Sequence, residues 1–484
     1  MRKQLLILAA ASMVFLSACK ENAKQQSCCA TEKTEQAGGD KSWKEEYAYT
    51  LGYQAYMYAY PLVKMSELRY DWVTNPDASF YAPLNFFHSK RALANHKNYT
   101  TGGSPNQDTL YDWGWVDLTD GPVILSHPEM GDRYFVFEIA DMFSDNFAYV
   151  GQRTTGGKAG AFAIIPPGWK GKLPKGITDS FQSTTNSVLI FGRTFVQDEA
   201  DVKTVNKLQE QYHLTPLAYW GKDRSTLPQK HEAFKPFDRS IDPLADWKTI
   251  VSVWKENPLR RDDQLIKLFS TIGISPDSSP EELDNLIPEI KAGLARAAKT
   301  GRAQLHAVLQ TGGLSNKVIN GWNYPPRAFG RLGYSYEFPV RAAIQCDQGI
   351  IANDPEEGVY INTFEDSEGV LLNGDNNYEI RYTKESLPQV KYFYSLTIYT
   401  MDANFVPNEM MRYSVGDRTE GINKNEDGTY TVYVQAEAPT DPAKRANWLP
   451  SPKGKNFYFV LRTYGPEQAV IEQTYTPPSV VKVN

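Results

Sequence analysis

Cysteine, histidine and net positive charge are all in short supply, and each shortage removes a class of protein. Of the four cysteines, Cys19, Cys28 and Cys29 crowd the amino terminus and Cys346 stands alone, so no disulfide framework underlies the fold. The six histidines, His88, His96, His127, His213, His231 and His306, make no H-x-H, H-E-x-x-H or Cys/His spacing. A histidine-based metal would need long-range assembly, and no metal is expected. Lys and Arg number 51 against 57 Asp and Glu, a formal charge of −6, which argues against nucleic acid as a partner. Phosphate and nucleophile motifs are missing too. Gly156-Gly157-Lys158-Ala159-Gly160 lacks the Walker spacing and reads as a hairpin loop, and there is no G-x-S-x-G elbow. Asn423, Asn425, Asp427 and Gly428 imitate half a calcium loop, but Val434 stands where a bidentate carboxylate is needed. No cofactor is expected.

What is present is ordinary globular material with a β character. Hydrophobic residues make up 41% and charged residues 22% of 484, enough for about three domains. The 29 Tyr and 22 Phe, with 34 Gly and 30 Pro, favour short strands and many turns.

The amino terminus carries Arg2 and Lys3, an apolar stretch from Leu5 to Leu16, then Ser17, Ala18 and Cys19. This is the form of a secretory signal, too short to span a ~30 Å hydrocarbon core comfortably as a mature helix. Leu16-Ser17-Ala18-Cys19 resembles a bacterial lipobox, which implies cleavage before a lipidated Cys19; the alternative is a plain signal peptide with a chance cysteine. Lys20, where an inner-membrane retention signal places Asp, implies outer-membrane sorting in a diderm host. Loss of residues 1–18 removes two cations and no acid, taking the charge from −6 to −8. Residues 19–42 are polar and read as a flexible tether.

Periodicity divides the rest. Over 43–98 a spacing of three and four (Tyr47, Leu51, Gln54, Tyr58, Leu62, Met65) predicts a helical region interrupted at Pro61. Over 99–236 the period falls to two, as in Phe135, Phe137 and Ile139 and again over Ser187 to Phe195, predicting a first β-sandwich. Over 237–328, Asp242-Pro243, Asn257-Pro258 and the capping box Ser279-Pro280-Glu281-Glu282 each predict a helix start; Pro288 breaks or restarts the third helix and Gly312-Gly313 ends it. From 329 to 484 strands return: Tyr392, Tyr394, Leu396 and Ile398 share a face, as do Tyr430, Val432 and Val434, and Phe457, Phe459 and Leu461.

Certain short runs carry more than periodicity. In the first half they are Asn106-Gln107-Asp108-Thr109-Leu110-Tyr111, Asp132-Arg133-Tyr134, Asp145-Asn146-Phe147, Gly151-Gln152-Arg153-Thr154-Thr155-Gly156 and Pro167-Gly168-Trp169-Lys170-Gly171. In the second they are Tyr394-Ser395-Leu396-Thr397-Ile398-Tyr399, Arg412-Tyr413-Ser414-Val415-Gly416-Asp417-Arg418-Thr419, Asn447-Trp448-Leu449-Pro450 and Leu461-Arg462-Thr463-Tyr464-Gly465-Pro466. From about residue 45 to the end, this ordered set resembles bacterial secreted proteins that pair two domains of unknown function, numbered twelve fifty-four and twelve fourteen. The resemblance implies an immunoglobulin-like sandwich, a helical segment and a jelly-roll-like sandwich, a mainly β multidomain protein, and brings no settled reaction. Gly103-Ser104-Pro105 departs from relatives, which often carry apolar and basic residues there.

Two polar clusters offer chemistry. The first holds Asn106, Asp108, Thr109, Tyr111, Asp141, Asp145, Asn146, Arg153 and Thr154. Such groups can bind a sugar through amides and carboxylates, with Tyr111, Trp113 or Trp115 stacking, and paired aspartates can do acid–base work. Equally, Asp and Asn can satisfy loop backbone while Arg153 pairs with an acid. The second holds Arg412, Asp417, Arg418, Asn447, Trp448, Arg462 and Tyr464, either a carboxylate or sulfate clamp or a buried ion-pair network. The expected site is therefore Asp108, Tyr111 and Asp141 as catalytic groups, with Asn106, Asn146, Arg153, Arg412 and Arg462 binding ligand. The expected function is a cell-envelope lipoprotein, lipid-anchored and facing the periplasm. It would process a small polar or carbohydrate-like ligand, or bind one without catalysis as a recognition or scaffold protein. Membrane contact through the lipid and self-association complete the expected partners.

Overall fold

The computed structural model describes residues 42–258, 261–312 and 317–483. The signal segment, Cys19, Cys28, Cys29 and Gly313 lie outside the described residues. Ser42, expected in the tether, is instead the N-cap of the first helix, its Oγ accepting from the Glu45 amide at 3.3 Å.

The strands assemble into four open sheets. One five-stranded sheet runs His88–Ser89, Thr109–Asp117, Ser187–Phe195, Phe135–Asp141, Asn146–Gly151 from edge to edge. A four-stranded sheet of Asp179–Gln182, Gly160–Ile165, Val123–His127 and His213–Pro216 faces it. Val116, Phe135, Phe137, Ile139, Val188 and Ile190 of one sheet pack against Val123, Leu125, Phe162, Ile164 and Leu214 of the other, forming the first sandwich core.

The second sandwich pairs a six-stranded sheet (Val318–Ile319, Trp322–Asn323, Gly358–Thr363, Phe457–Pro466, Val390–Thr400, Ser414–Gly416) with a four-stranded one (Trp448–Pro450, Tyr430–Gln435, Asn377–Tyr382, Val480–Val483). Its core joins Ile361, Leu396, Ile398, Phe459 and Leu461 to Ile380, Val432, Val434 and Leu449. Its first two strands thus lie within the stretch read as helical, before residue 329. Tyr392 leaves the face it was expected to share with Tyr394, because a register shift between Val390 and Phe393 turns it toward Tyr134, at 4.8 Å between rings.

Helices pack on the outer face of the five-stranded sheet. Helix Trp43–Thr74 runs unbroken through Pro61, against expectation. Every residue from Ala55 to Val63 is buried, so packing on all sides compensates the one internal bond that proline cannot donate. Helix Pro288–Thr311 lies along it at close range: a Cβ on Gly293 would meet the Glu45 carbonyl oxygen at 2.5 Å, and one on Gly301 the Tyr56 ring at 2.4 Å. The capping box at Ser279 forms with both bonds, but opens only the short helix Pro280–Asp284 before Pro288 restarts the chain, and Gly312 ends the long helix at φ 70°.

The other two starts are displaced. Asp242 accepts from the Leu244 amide at 2.8 Å in a turn before helix Ala245–Glu256. The helix expected at Pro258 begins only at Asp263 (Asp263–Ser270), because buried Asn257 is spent elsewhere: its Oδ1 accepts from the Ser187 amide at 2.7 Å. Trp72, Trp113, Trp115 and Phe191 join these helices to the sheet, and Arg341–Gln348, a π-helical stretch, adds Ala342, Ala343 and Cys346 to the same core. Among the described residues, no helix is long and apolar enough to cross a membrane.

Candidate functional site

Period two gives every strand a second face, and in central strands of the five- and six-stranded sheets that face is buried as well. In Phe135–Asp141 all seven residues are buried; the side opposite the sandwich core carries Val136 and Glu138. Strand Phe457–Pro466 is likewise buried throughout, with Val460, Arg462 and Tyr464 alternating against the core residues Phe459 and Leu461. Where these two outer faces and the helical layer meet, they enclose a cavity of about 840 Å3.

The first sandwich contributes Tyr111, Trp113, Phe191 and Arg193 to its wall, as cross-strand partners Tyr111↔Arg193 and Trp113↔Phe191. The second contributes Tyr360, Asn362, Val460, Arg462 and Tyr464, with Tyr360 directly opposite Arg462. Leu309, Ile344 and Ile350 close it from the helical layer, while the lining residues Thr101, Gly103, Gln310 and Gln348 are exposed at its rim. The floor is aromatic: Trp113 and Phe191 stack with ring centroids 3.6 Å apart.

Arg193, Arg462 and the hydroxyls of Tyr111, Tyr360 and Tyr464 present donors to this wall. Arg193 gives Nη1 to Glu138 at 2.6 Å and to Asn353 Oδ1 at 3.1 Å, and its guanidinium lies over the Phe191 ring at 3.9 Å. Arg462, 5% exposed, has only neutral partners: Nη1 reaches Thr397 Oγ1 at 3.2 Å and Nη2 the Ser104 carbonyl. Its guanidinium sits 5.7 Å from the Tyr360 ring centre and 5.4 Å from that of Tyr399, and among the described residues no carboxylate lies within ion-pair distance of it.

Asn106 sets two phenols. Its backbone N–H donates to Tyr111 Oη at 3.0 Å and its Nδ2 to Tyr464 Oη at 3.1 Å, while Asn353 Nδ2 donates to Tyr360 Oη at 2.7 Å. Each hydroxyl therefore accepts a bond and keeps its own proton; among the described residues none of the three protons has an acceptor. Burial pushes the Tyr111 phenol up to about 12 and Tyr464 well above the usual range, so both remain donors at neutral pH. No Asp, Glu, His or Cys lines the cavity among the described residues.

Of the residues singled out in the sequence, Asn106, Tyr111, Trp113, Arg462 and Tyr464 come together here, with Gly103-Ser104-Pro105 on the lining. The rest do not. Asp108 lies behind the wall, taken by Arg418 Nη2 at 3.0 Å and Ser395 Oγ at 2.7 Å, a pair that crosses between sandwiches and joins the two sequence clusters. Asp141 holds its own turn. Its Oδ1 accepts the Phe143 and Asp145 amides at 2.8 and 3.1 Å and its Oδ2 the Thr184 hydroxyl at 2.6 Å; burial, with Asp145 beside it, pushes the carboxyl up to about 6.

Asn146 places its amide nitrogen 3.0 Å from Glu138, 2.7 Å from Tyr149 Oη, 2.6 Å from the Ala352 carbonyl and 3.0 Å from Asp354. Arg153 pairs with Glu357 at 2.6 Å, a partner from the other half of the chain. Arg412 donates to the carbonyls of Ala446 and Trp448 at 2.9 and 3.1 Å, tying down a loop. Acid–base catalysis by Asp108 and Asp141 together loses its geometry, because the two carboxylates are engaged at different places.

Sequence reasoning missed Arg193, Phe191 and Tyr360. One signal was present for the first: a cation inside the apolar strand Ser187–Phe195 can be tolerated only with a buried partner or a ligand. Tyr360 carried none.

Two sandwiches and a helical layer around a donor-lined cavity define a mainly β multidomain protein. Residues 84–216 match the family model described as Protein of unknown function (DUF1254), and residues 357–468 that described as Protein of unknown function (DUF1214); the chain pairs these two domain families. It is similar to the VPA0106 protein from Vibrio parahaemolyticus, whose crystal structure matches at 25% identity and TM-score 0.72 over 90% of this chain and 100% of that one. An uncharacterized protein from Burkholderia cenocepacia matches at 11% identity and TM-score 0.42, over 91% of this chain and 94% of that one. No curated protein matches the sequence.

Proposed function

We propose that the protein binds a small acceptor-rich molecule in the cavity between the sandwiches, as a recognition protein of the cell envelope. One observation carries the reading: a cavity of about 840 Å3 with an aromatic floor, two buried arginines and three phenolic donors, and no acidic, imidazole or thiol group on the described lining. Ligand sites are concave, mostly apolar and furnished with a few oriented polar groups, which is the make-up of this one. General acid–base work or nucleophilic attack needs a group that gains or yields a proton near neutral pH, and burial holds the Tyr111 and Tyr464 phenols protonated. Binding therefore has more support than catalysis, and a flat ring, sugar or aromatic, suits the Trp113–Phe191 floor.

A metabolite-library thermal-shift screen tests it. A ligand present at ~100 times its Kd adds ~2.7 kcal/mol to the stability of the folded state. Hits that lose their effect in Tyr360→Phe support the cavity; hits unaffected by it, or turnover of the ligand, count against recognition there.

Envelope anchoring rests on Leu16-Ser17-Ala18-Cys19 alone. Cys19→Ser should abolish lipid labelling and move the protein out of the membrane fraction, and retention in that fraction after the substitution would remove the anchor from the proposal.

A further inference from the structure

The charge balance of the cavity wall goes one step further than its shape. Arg193 is neutralised within the protein, its Nη1 lying 2.6 Å from Glu138 Oε2, and Glu138 is fully buried. Among the described residues Arg462 has no such partner. A guanidinium 5% exposed and bonded only to neutral oxygens has lost most of its hydration without gaining a counter-charge. Four phenol rings surround it, those of Tyr111, Tyr360, Tyr399 and Tyr464, which offer π faces and hydroxyls rather than charge. The O–H groups of Tyr111, Tyr360 and Tyr464 add unsatisfied donors on the same wall. One uncompensated positive charge among free donors, beside a stacked aromatic floor, is the complement of one negative charge on a planar group attached to a flat body.

Resting on the reading of this cavity as a binding site, we propose that its ligand is a ring-bearing monocarboxylate, whose carboxylate is held by Arg462 with the Tyr360 and Tyr464 hydroxyls and whose ring lies over Trp113 and Phe191. The single charge favours a carboxylate over a phosphate dianion, which would bring one charge too many for Arg462 alone. Arg193, balanced by Glu138, contributes N–H donors but no net charge. Asn106 is a positioning residue: by donating to Tyr111 Oη and Tyr464 Oη it leaves their protons for the ligand.

The test uses two probes of nearly equal shape, benzoate and benzamide, titrated into the full-length mature protein while the indole fluorescence and melting temperature are followed. Benzoate should bind at least about tenfold tighter than benzamide, since exchanging a charged acceptor for a neutral one at a buried cation costs more than about 1.4 kcal/mol. Arg462→Met should erase that preference and Arg462→Lys should restore part of it. Tyr360→Phe, which removes one hydroxyl and no charge, should weaken benzoate severalfold while keeping the preference. If Arg462→Met fails to fold, the wild-type ratio and Tyr360→Phe decide alone. Equal binding of both probes, lost in Tyr360→Phe, would overturn the carboxylate proposal and leave the cavity as a site. Failure of both probes to bind at tens of millimolar would overturn the cavity as a site for small ring ligands, and the proposal with it.

Discussion

Arg153→Ala is the most informative single substitution, because Arg153 sits in the 151–156 turn of the first sandwich and its partner Glu357 just before strand Gly358–Thr363 of the second. The pair is asymmetric: the Glu357 side chain is 1% exposed and the Arg153 side chain 27%. Truncation removes one charge-assisted bond of 2.6 Å and leaves the carboxylate with the Tyr134 hydroxyl at 2.7 Å. Stranding a fully buried charge costs ~3–5 kcal/mol. Water can follow a side chain that is already a quarter exposed, which sets the expected loss lower, at ~2–3 kcal/mol.

In urea the midpoint should fall by under ~1 M, with a slope of ~3 kcal/mol/M or more for a chain of this size. The sign with pH follows from the carboxyl. Burial raises Glu357 above the ordinary range while Arg153 draws it back, so removing Arg153 raises it further. A carboxyl raised in the folded state is most favourable when protonated, so the penalty should be full at neutral pH and shrink as pH falls into the carboxyl's range. Glu357→Gln added to Arg153→Ala should recover part of the loss. A pH-independent loss below ~0.5 kcal/mol, of the size of ordinary surface substitutions, would refute the buried-pair account; loss of ligand binding at unchanged stability would return Arg153 to the ligand-binding role expected from sequence.

Two further predictions concern the same junction. Gly333→Ala should destabilise by ~3 kcal/mol or more, read by thermal melting, because its Cβ would stand 2.0 Å from Asp145 Oδ2 and 2.4 Å from Arg341 Nη1, inside a buried ion pair. Burial pushes the Asp354 carboxyl up to about 7; its contribution to stability should be present below the unfolded value of ~3.9, decline as pH rises toward 7, and vanish from the pH profile in Asp354→Asn. Carboxyl NMR titration of wild type checks the same value, and an ordinary acidic midpoint for Asp354 would show that Arg331, 3.1 Å away, outweighs its burial.

Much of the architecture was written locally. The period-two runs Phe135–Asp141, Ser187–Phe195 and Tyr430–Gln435 formed strands because alternating side chains leave no other way to bury one face. The capping box at Ser279 and the glycine at 312 formed at their expected positions, since each bond lies within four residues. The motif runs around Asn106 and Arg462 were enough, as amino-acid strings, to identify the paired domains.

Local pattern misled wherever a distant element supplied the deciding contact. Pro61 was carried through a helix by burial on every side, and Asn257 was diverted from starting a helix by the amide of Ser187.

The site shows the same division more sharply. That Asn106, Tyr111 and Arg462 were unusual residues could be seen in the chain; which acids neutralise which arginines could not. Asp108 and Arg418 are 310 positions apart, Arg153 and Glu357 204, and Arg193 and Glu138 55. Pairing at such separations is decided by how two sheets present their second faces to each other. That meeting consumed Asp108, Asn146 and Arg153 as partners and left Arg462 alone at the cavity wall, because a carboxylate pairs with whichever cation the packing brings within reach, and sequence carries no record of that distance.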